Sequence, residues 1–282
     1  MKTRATALNP HNRFQPIATD REVDDGWYRD PEDEFNPDSV ATEVILENAR
    51  TIISRNSSPD VPFDQSINPY RGCEHACIYC FARPTHAYWD MSPGLDFETR
   101  LIAKPNAATR LREELDRPGY RVSPIALGVN TDAYQPLERD QRITRQVLEV
   151  LSDYRHPVSI ITKGALILRD LDLLSDMAAQ GLCSVRVSLT TLSNDLKRSM
   201  EPRTAAPATR LKMIRQLSAA GVPTGIILGP VIPFVNDHEI EVEIKKGQTL
   251  NPLFASLTNV GLTVSSMRNK SNRLEELFMR LV

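Results

Sequence analysis

Between residues 67 and 235, short apolar runs alternate with segments whose apolar residues recur at helical spacing, and this alternation constrains the fold more than any other feature. After a first run at 67–70, strand-length runs stand at 125–129, 158–162, 185–189 and 225–228, and a further one at 100–103. The segments between them set Ile143, Val147, Leu148 and Leu151, then Leu168, Leu171 and Leu174, then Leu211, Ile214 and Leu217, on one face of a 3.6-residue helix. Gly181 and Gly221 follow the last two helices, where a C-terminal cap needs a left-handed residue. Strands that each need a helical crossover build a parallel sheet, so the class is α/β. The alternation alone is satisfied by an open twisted sheet or by a full or partial barrel.

Both architectures collect function in the loops that follow the carboxyl ends of the strands. In this chain those places hold a cysteine-rich loop after the first run, then Asn130, Thr131 and Asp132, then Lys163 and Gly164, Thr190 and Thr191, and Gly229, Pro230 and Val231.

The chain has four cysteines, of which Cys73, Cys77 and Cys80 lie within eight residues while Cys183 is remote. A secreted disulfide framework spreads its cysteines over a small domain, whereas thiolates clustered in a reducing compartment hold metal. Cys183, entering an apolar strand, reads as core. Within the first thirty residues there is no apolar run long enough for a signal peptide, nor anywhere a stretch long enough to span a bilayer, so a cytoplasmic location without membrane contact is expected. The net charge of -2, from 34 basic and 36 acidic residues, gives no global field toward nucleic acid.

The loop spacing C-x3-C-x2-C brings three thiolates together without help from distant sequence. Clusters devoted to electron transfer usually take four cysteines, so a local count of three leaves one iron open to an exchangeable ligand. This spacing, with Tyr79 just before the third cysteine, resembles the radical S-adenosylmethionine superfamily. The words Asn68-Pro69-Tyr70-Arg71-Gly72-Cys73 and Cys80-Phe81-Ala82-Arg83-Pro84 resemble more narrowly an uncharacterised bacterial branch similar to spore photoproduct lyase.

The resemblance implies a partial TIM-type (β/α)6 barrel of parallel strands, from which the C-terminal part of this sequence departs, as a divergent cap or as an incomplete barrel end. It implies a 4Fe-4S cluster on Cys73, Cys77 and Cys80, S-adenosylmethionine on the open iron, and reductive cleavage to a 5′-deoxyadenosyl radical that acts on a substrate the sequence does not name. An electron donor such as flavodoxin or ferredoxin is implied as a partner; DNA and lyase-type chemistry enter by analogy only. The competing class is a non-catalytic metal-binding protein, either a degenerate cluster protein or a structural zinc module completed by His75 or His86.

Carried onto this sequence, the resemblance puts Tyr79 near the adenine and Asp132 against the methionine ammonium, although Asp132 equally suits a turn. Lys163 meets a carboxylate or substrate anion, or stands as a solvated strand end. Ser188 faces the ribose or a wet cavity. Glu201 and Arg203 pair with each other or contact the cofactor, Arg203 offering a bidentate fork. Gly229 closes a glycine-isoleucine strand whose backbone approaches the adenine.

Three regions are expected: a polar N-terminal arm over 1–60, a core domain over 61–244 and a divergent tail over 245–282. The arm carries eight acidic residues against two arginines between 20 and 34, with Trp27 and Tyr28 able to dock it. The domain start falls between Ala41 and Asp64. In the tail, residues 248–272 are rich in Thr, Ser and Asn and lack a β-α unit, and 273–282 read as a short amphipathic helix.

Overall fold

The structure is a computed structural model that describes residues 4–6, 8–10, 12–14, 41–59 and 61–236. The acidic stretch with Trp27 and Tyr28, and the tail from 245 onward with the place of a sixth strand, lie outside the described residues.

Among the described residues nine strands fall into two sheets. The larger has the order β2 (Ile53–Arg55), β3 (Gln65–Ile67), β6 (Ile125–Leu127), β7 (Val158–Thr162), β8 (Cys183–Ser188), β9 (Thr224–Ile227). From β3 to β9 every pairing is parallel, and β2 joins β3 antiparallel at one edge. The parallel strands neighbour one another in chain order, without the reversal that marks a doubly wound sheet. The helices α2 (Ala107–Leu115), α4 (Ile143–Asp153), α5 (Leu171–Ala179) and α7 (Pro207–Ala219) share one apolar core with these strands. Strands in sequential order with helices on one side make a curved, barrel-type sheet. Because β2 and β9 end the sheet without pairing to each other, the barrel is partial among the described residues.

The core forms as the sequence predicts in α4, where Ile143, Val147, Leu148 and Leu151 are buried. A fully buried leucine there contributes roughly 2 kcal/mol. Gly181 and Gly221 adopt positive φ, and the next amides, of Leu182 and Val222, return to the carbonyls of Met177 and Leu217. Helix α7 departs from expectation. Its buried ridge is Arg210, Met213 and Leu217, while Leu211 and Ile214 are only half-buried. Apolar periodicity follows hydrocarbon and overlooks an arginine whose charge is satisfied inside.

The smaller sheet sets β5 (Arg100–Ala103) between β1 (Glu43–Leu46), parallel, and β4 (Tyr70–Arg71), antiparallel. The run at 100–103 is therefore a strand outside the barrel sheet. The first apolar run also splits, since the chain leaves β3, passes Asn68 and Pro69, and enters β4 of the other sheet. Pro69 has no amide to continue a ladder, and its carbonyl accepts instead from Lys104 N at 3.1 Å. Strands β1 and β2 lie within the stretch read as a polar arm, and Ile52 is buried in the main core. Arg4 also packs in, donating Nη1 to Glu98 O at 2.9 Å. Among the described residues no helix is long and apolar enough to cross a membrane.

Candidate functional site

The cysteine loop leaves β4 through Gly72, whose φ of +75° belongs to the left-handed region. A Cβ here would stand 2.7 Å from Leu101 Cδ2 and 2.9 Å from Phe97 O. Glycine lets the next residue reach that same carbonyl, and Cys73 N donates to Phe97 O at 2.9 Å. Phe97 lies in the short helix α1 (Asp96–Thr99), with His86 edge-on to its ring. His86 Nε2 is 2.9 Å from Arg100 O, and burial lowers the imidazole pKa.

The loop after β6 fixes the cysteine segment from the other side. Thr131 Oγ1 donates to Gly72 O at 2.7 Å, and Gln135 accepts from Glu74 N at 2.9 Å. Further along, Arg83 Nε donates to Cys77 O at 3.0 Å while its Nη2 pairs with buried Glu98 at 2.5 Å. Ile78 N donates to the carbonyl of Met200, the last residue of α6 (Asn194–Met200), at 3.0 Å. The loop backbone is thus held at each of its turns by groups of this chain.

Cys73 and Cys77 are buried and Cys80 is partly exposed; all three are free thiols. Burial pushes the Cys77 thiol up to about 12, with the Lys163 ammonium partly offsetting it. Cys73 is also raised well above its ordinary value, by burial first and then by Asp132 and the other two sulfurs. Cys183, at the start of β8, is raised to about 12 by burial alone and belongs to the apolar core, as its sequence position suggests.

The expected cofactor residues gather around this loop. Asp132 is buried and fully engaged: it accepts from Thr162 Oγ1 at 2.6 Å, Lys163 N at 2.7 Å and Tyr134 N at 2.9 Å, and its Oδ2 lies 3.2 Å from His75 Nδ1. Burial alone would raise its pKa, but His75 and these donors hold it well below the usual carboxylate range. The bond to Tyr134 N is the local turn that the sequence allowed. The Lys163 ammonium, by contrast, makes no hydrogen bond or ion pair among the described residues and sits 5.8 Å from the centroid of the Tyr79 ring. Burial opposes its charge, yet Cys77, Glu201 and Asp132 together raise its pKa.

Tyr79 donates its phenol to Glu201, which also takes Thr190 Oγ1 at 2.9 Å. Burial, then Cys77 and Glu201, raise the phenol pKa. Glu201 pairs with Arg210, not with Arg203. Arg203 instead reaches Glu74 at 3.3 Å, and its buried Nε has no partner among the described residues. Ser188, buried at the end of β8, gives its carbonyl to Arg210 Nη1 at 2.9 Å. Gly229 O lies 3.0 Å from Thr190 Oγ1, an alternative acceptor for the hydroxyl that Glu201 takes, and the space before its Cα is open except for Ile227 at 3.6 Å.

Arg210 and Gln135 were not singled out by sequence as site residues, and Thr190 was placed at a functional strand end without a role. Arg210 had a signal, a cation at the i, i+3, i+7 positions of a buried ridge; Gln135 had none.

Comparison with known proteins matches residues 67–246 to the Radical SAM superfamily. An uncharacterised protein of Mycobacterium tuberculosis is 41% identical over 221 residues, covering 78% of this chain and 62% of its own length. The chain thus spans about three-fifths of that relative. An uncharacterised protein of Methanocaldococcus jannaschii is 27% identical over 197 residues, covering 70% of this chain and 71% of its own. Among solved structures, a variant of spore photoproduct lyase superposes with a TM-score of 0.52 at 15% identity, over 80% of this chain and 58% of that one, a likeness of fold.

Proposed function

Because the chain belongs to the Radical SAM superfamily, we propose that Cys73, Cys77 and Cys80 hold a 4Fe-4S cluster with which the protein reductively cleaves S-adenosylmethionine. The observation that supports this reading is a loop fixed by its own chain that carries three free thiols close in sequence and lies beside the unpaired Lys163 ammonium at the carboxyl ends of the parallel strands. Among the described residues the side chains are not already drawn together as a three-ligand metal group.

The donor set fits such a group. Burial and repulsion from neighbouring charges keep the bare Cys73 and Cys77 thiols protonated, so thiolates there need positive charge, which iron supplies. Three local cysteines leave one iron for an exchangeable ligand. When bound, the cluster supplies the electron that breaks a carbon-sulfur bond of S-adenosylmethionine, yielding methionine and a 5′-deoxyadenosyl radical.

The remaining work falls to this chain's residues. Lys163 offers an ammonium to the methionine carboxylate, and Arg203 Nε is a second donor in reserve. Tyr79, held through Glu201 and Thr190, walls the adenine side, with Ser188 and Gly229 lining the strand ends. Asp132 acts by orienting His75 and the Lys163 backbone, a supporting role in place of direct contact with the ammonium. Cys80, the least buried thiol, adjoins the exposed Phe81, which favours this side for an electron donor.

The test is anaerobic reconstitution with iron and sulfide, then dithionite and S-adenosylmethionine, with 5′-deoxyadenosine quantified by chromatography. Product is expected, with cluster absorbance lost in Cys73→Ala, Cys77→Ala and Cys80→Ala and kept in Cys183→Ala. A tightly held zinc ion in place of a cluster overturns the reading. A cluster without product makes the chain a non-catalytic cluster protein.

A further inference from the structure

The inner face of the barrel sheet is built from residues that a parallel barrel seldom puts there. Alternation along β7 and β8 sends Val158, Ile160, Val185 and Val187 into the core shared with the helices. Ser159, Ser184 and Arg186, half-buried, therefore stand on the opposite face, inside the curve of the sheet. Pairing aligns Ser66, Ala126, Ser159 and Ser184 in one row across four strands. The next row toward the carboxyl ends aligns Ile161, Arg186 and Gly225. Barrels of this type ordinarily fill such layers with Val, Ile and Leu. Here, beside the single Ile161, the rows offer hydroxyls, a methyl, a bare glycine and one cation.

Arg186 Nη1 donates to Ser159 Oγ at 3.0 Å, and Ser184 Oγ lies 3.4 Å from the same hydroxyl. No carboxylate pairs with Arg186 among the described residues. A guanidinium carries five N–H donors in a fixed fork, and one satisfied by a serine leaves most of them for another acceptor. A cation on a concave protein face attracts an anion more strongly than one on an open surface, because part of the solvent screening is gone.

We propose that Arg186, with Ser159 and Ser184, forms an oxyanion site inside the barrel, and that the substrate carries a phosphate or carboxylate group that docks there. The substrate assignment rests on the adenosylmethionine-cleaving reading; the site itself does not. By alternation Lys163 falls on the same face one row above Ile161, roughly 7 Å nearer the cysteine loop. A substrate anchored by its anion at Arg186 thus turns its other end toward the place where the radical is generated.

The experiment is calorimetric titration of the anaerobically reconstituted protein with inorganic phosphate and, in a separate arm, with acetate. Saturable binding of at least one is expected, phosphate preference naming a phosphate-bearing substrate and acetate preference a carboxylate. Arg186→Met should weaken binding on the order of tenfold or more, since a charged hydrogen bond is lost. Ser159→Ala should weaken it less, and Arg112→Gln, on the exposed outside of α2, should leave it unchanged. If Arg186→Met does not fold, Arg186→Lys decides: it keeps the charge without the fork and should bind more weakly than wild type. Absence of saturable binding in the wild type, or affinity unaltered in the Arg186 variants, overturns the proposal. Binding is read without turnover, so failure to form 5′-deoxyadenosine leaves the site standing, and intact 5′-deoxyadenosine formation does not rescue it.

Discussion

Gln135 brackets Cys73: its Oε1 accepts from Glu74 N at 2.9 Å and its Nε2 donates to Gly72 O at 3.3 Å, so one carboxamide holds the peptide groups on both sides of the first thiol. A third bond, to Thr131 Oγ1 at 2.9 Å, stops the amide from rotating. Gln135 is fully buried, and Gln135→Ala would leave the Glu74 amide without this partner, while Gly72 O keeps only its bond from Thr131 Oγ1. An orphaned buried amide costs about 1–3 kcal/mol. The direction of Cys73 then becomes variable. Iron and sulfide per chain after reconstitution should fall, and the cluster should bleach faster in air. Loading and bleaching equal to wild type would refute the bracket.

Gly72 tests the same corner through the backbone. Gly72→Ala meets both a positive φ and a clash with Phe97 O and Leu101, whereas Gly119→Ala meets a positive φ of +82° with nothing within 4 Å. Left-handed backbone costs a non-glycine residue about 1–2 kcal/mol. Gly119→Ala should lose about that much stability by urea titration. Gly72→Ala should lose clearly more, and cluster loading should fall with it. Equal losses would mean that the contact with Phe97 and Leu101 is unimportant.

What was legible in the sequence is what hydrocarbon spacing and local covalent order dictate. The strands after the cysteine loop stand close to the expected positions because Val158, Ile160, Val185 and Val187 must be buried together. The gathering of Tyr79, Asp132, Lys163 and Glu201 follows from strand ends sharing one edge of the sheet. Their partners were not legible. Glu201 chooses Arg210 over its near neighbour Arg203, since a helix turn brings Arg210 beneath it while Arg203 points to Glu74. Likewise the move of the chain from β3 to β4 depends on tertiary pairing with β5, which no spacing within residues 65–71 encodes.

The Glu201–Arg210 pair is predicted to matter most when only half of it is removed. Arg210 is fully buried and spends its donors on Glu201, Ser188 O, Ala205 O and Thr204. Arg210→Met leaves a buried carboxylate with only Lys163 as a nearby cation, a change that costs about 3–5 kcal/mol. Adding Glu201→Gln removes the uncompensated charge, so the double variant should be more stable than Arg210→Met alone. Denaturant midpoints for Arg210→Met, Glu201→Gln and the double variant provide the check. Strictly additive losses would show that the two side chains do not interact.

Lys104 gives the fold a pH dependence with a definite sign. Its ammonium is buried, donates to Asn68 O at 2.8 Å, and is pushed down to about 8 by burial first and then by Arg71, with Glu47 opposing. An unfolded lysine keeps its proton until about pH 10.4. Between these two values the unfolded chain binds more protons than the folded one, so stability rises with pH across that window. Below about pH 8 the full cost of burying the charge is present. Lys104→Met removes that cost along with the bond to Asn68. The stability of the variant relative to wild type should be greatest at pH 7 and fall by up to a few kcal/mol toward pH 10, the lost bond shifting the whole curve but not its slope. Urea midpoints at pH 7, 8.5 and 10 measure that difference, in which all other titrating groups cancel. A difference that stays flat with pH would mean that Lys104 titrates as an exposed lysine does.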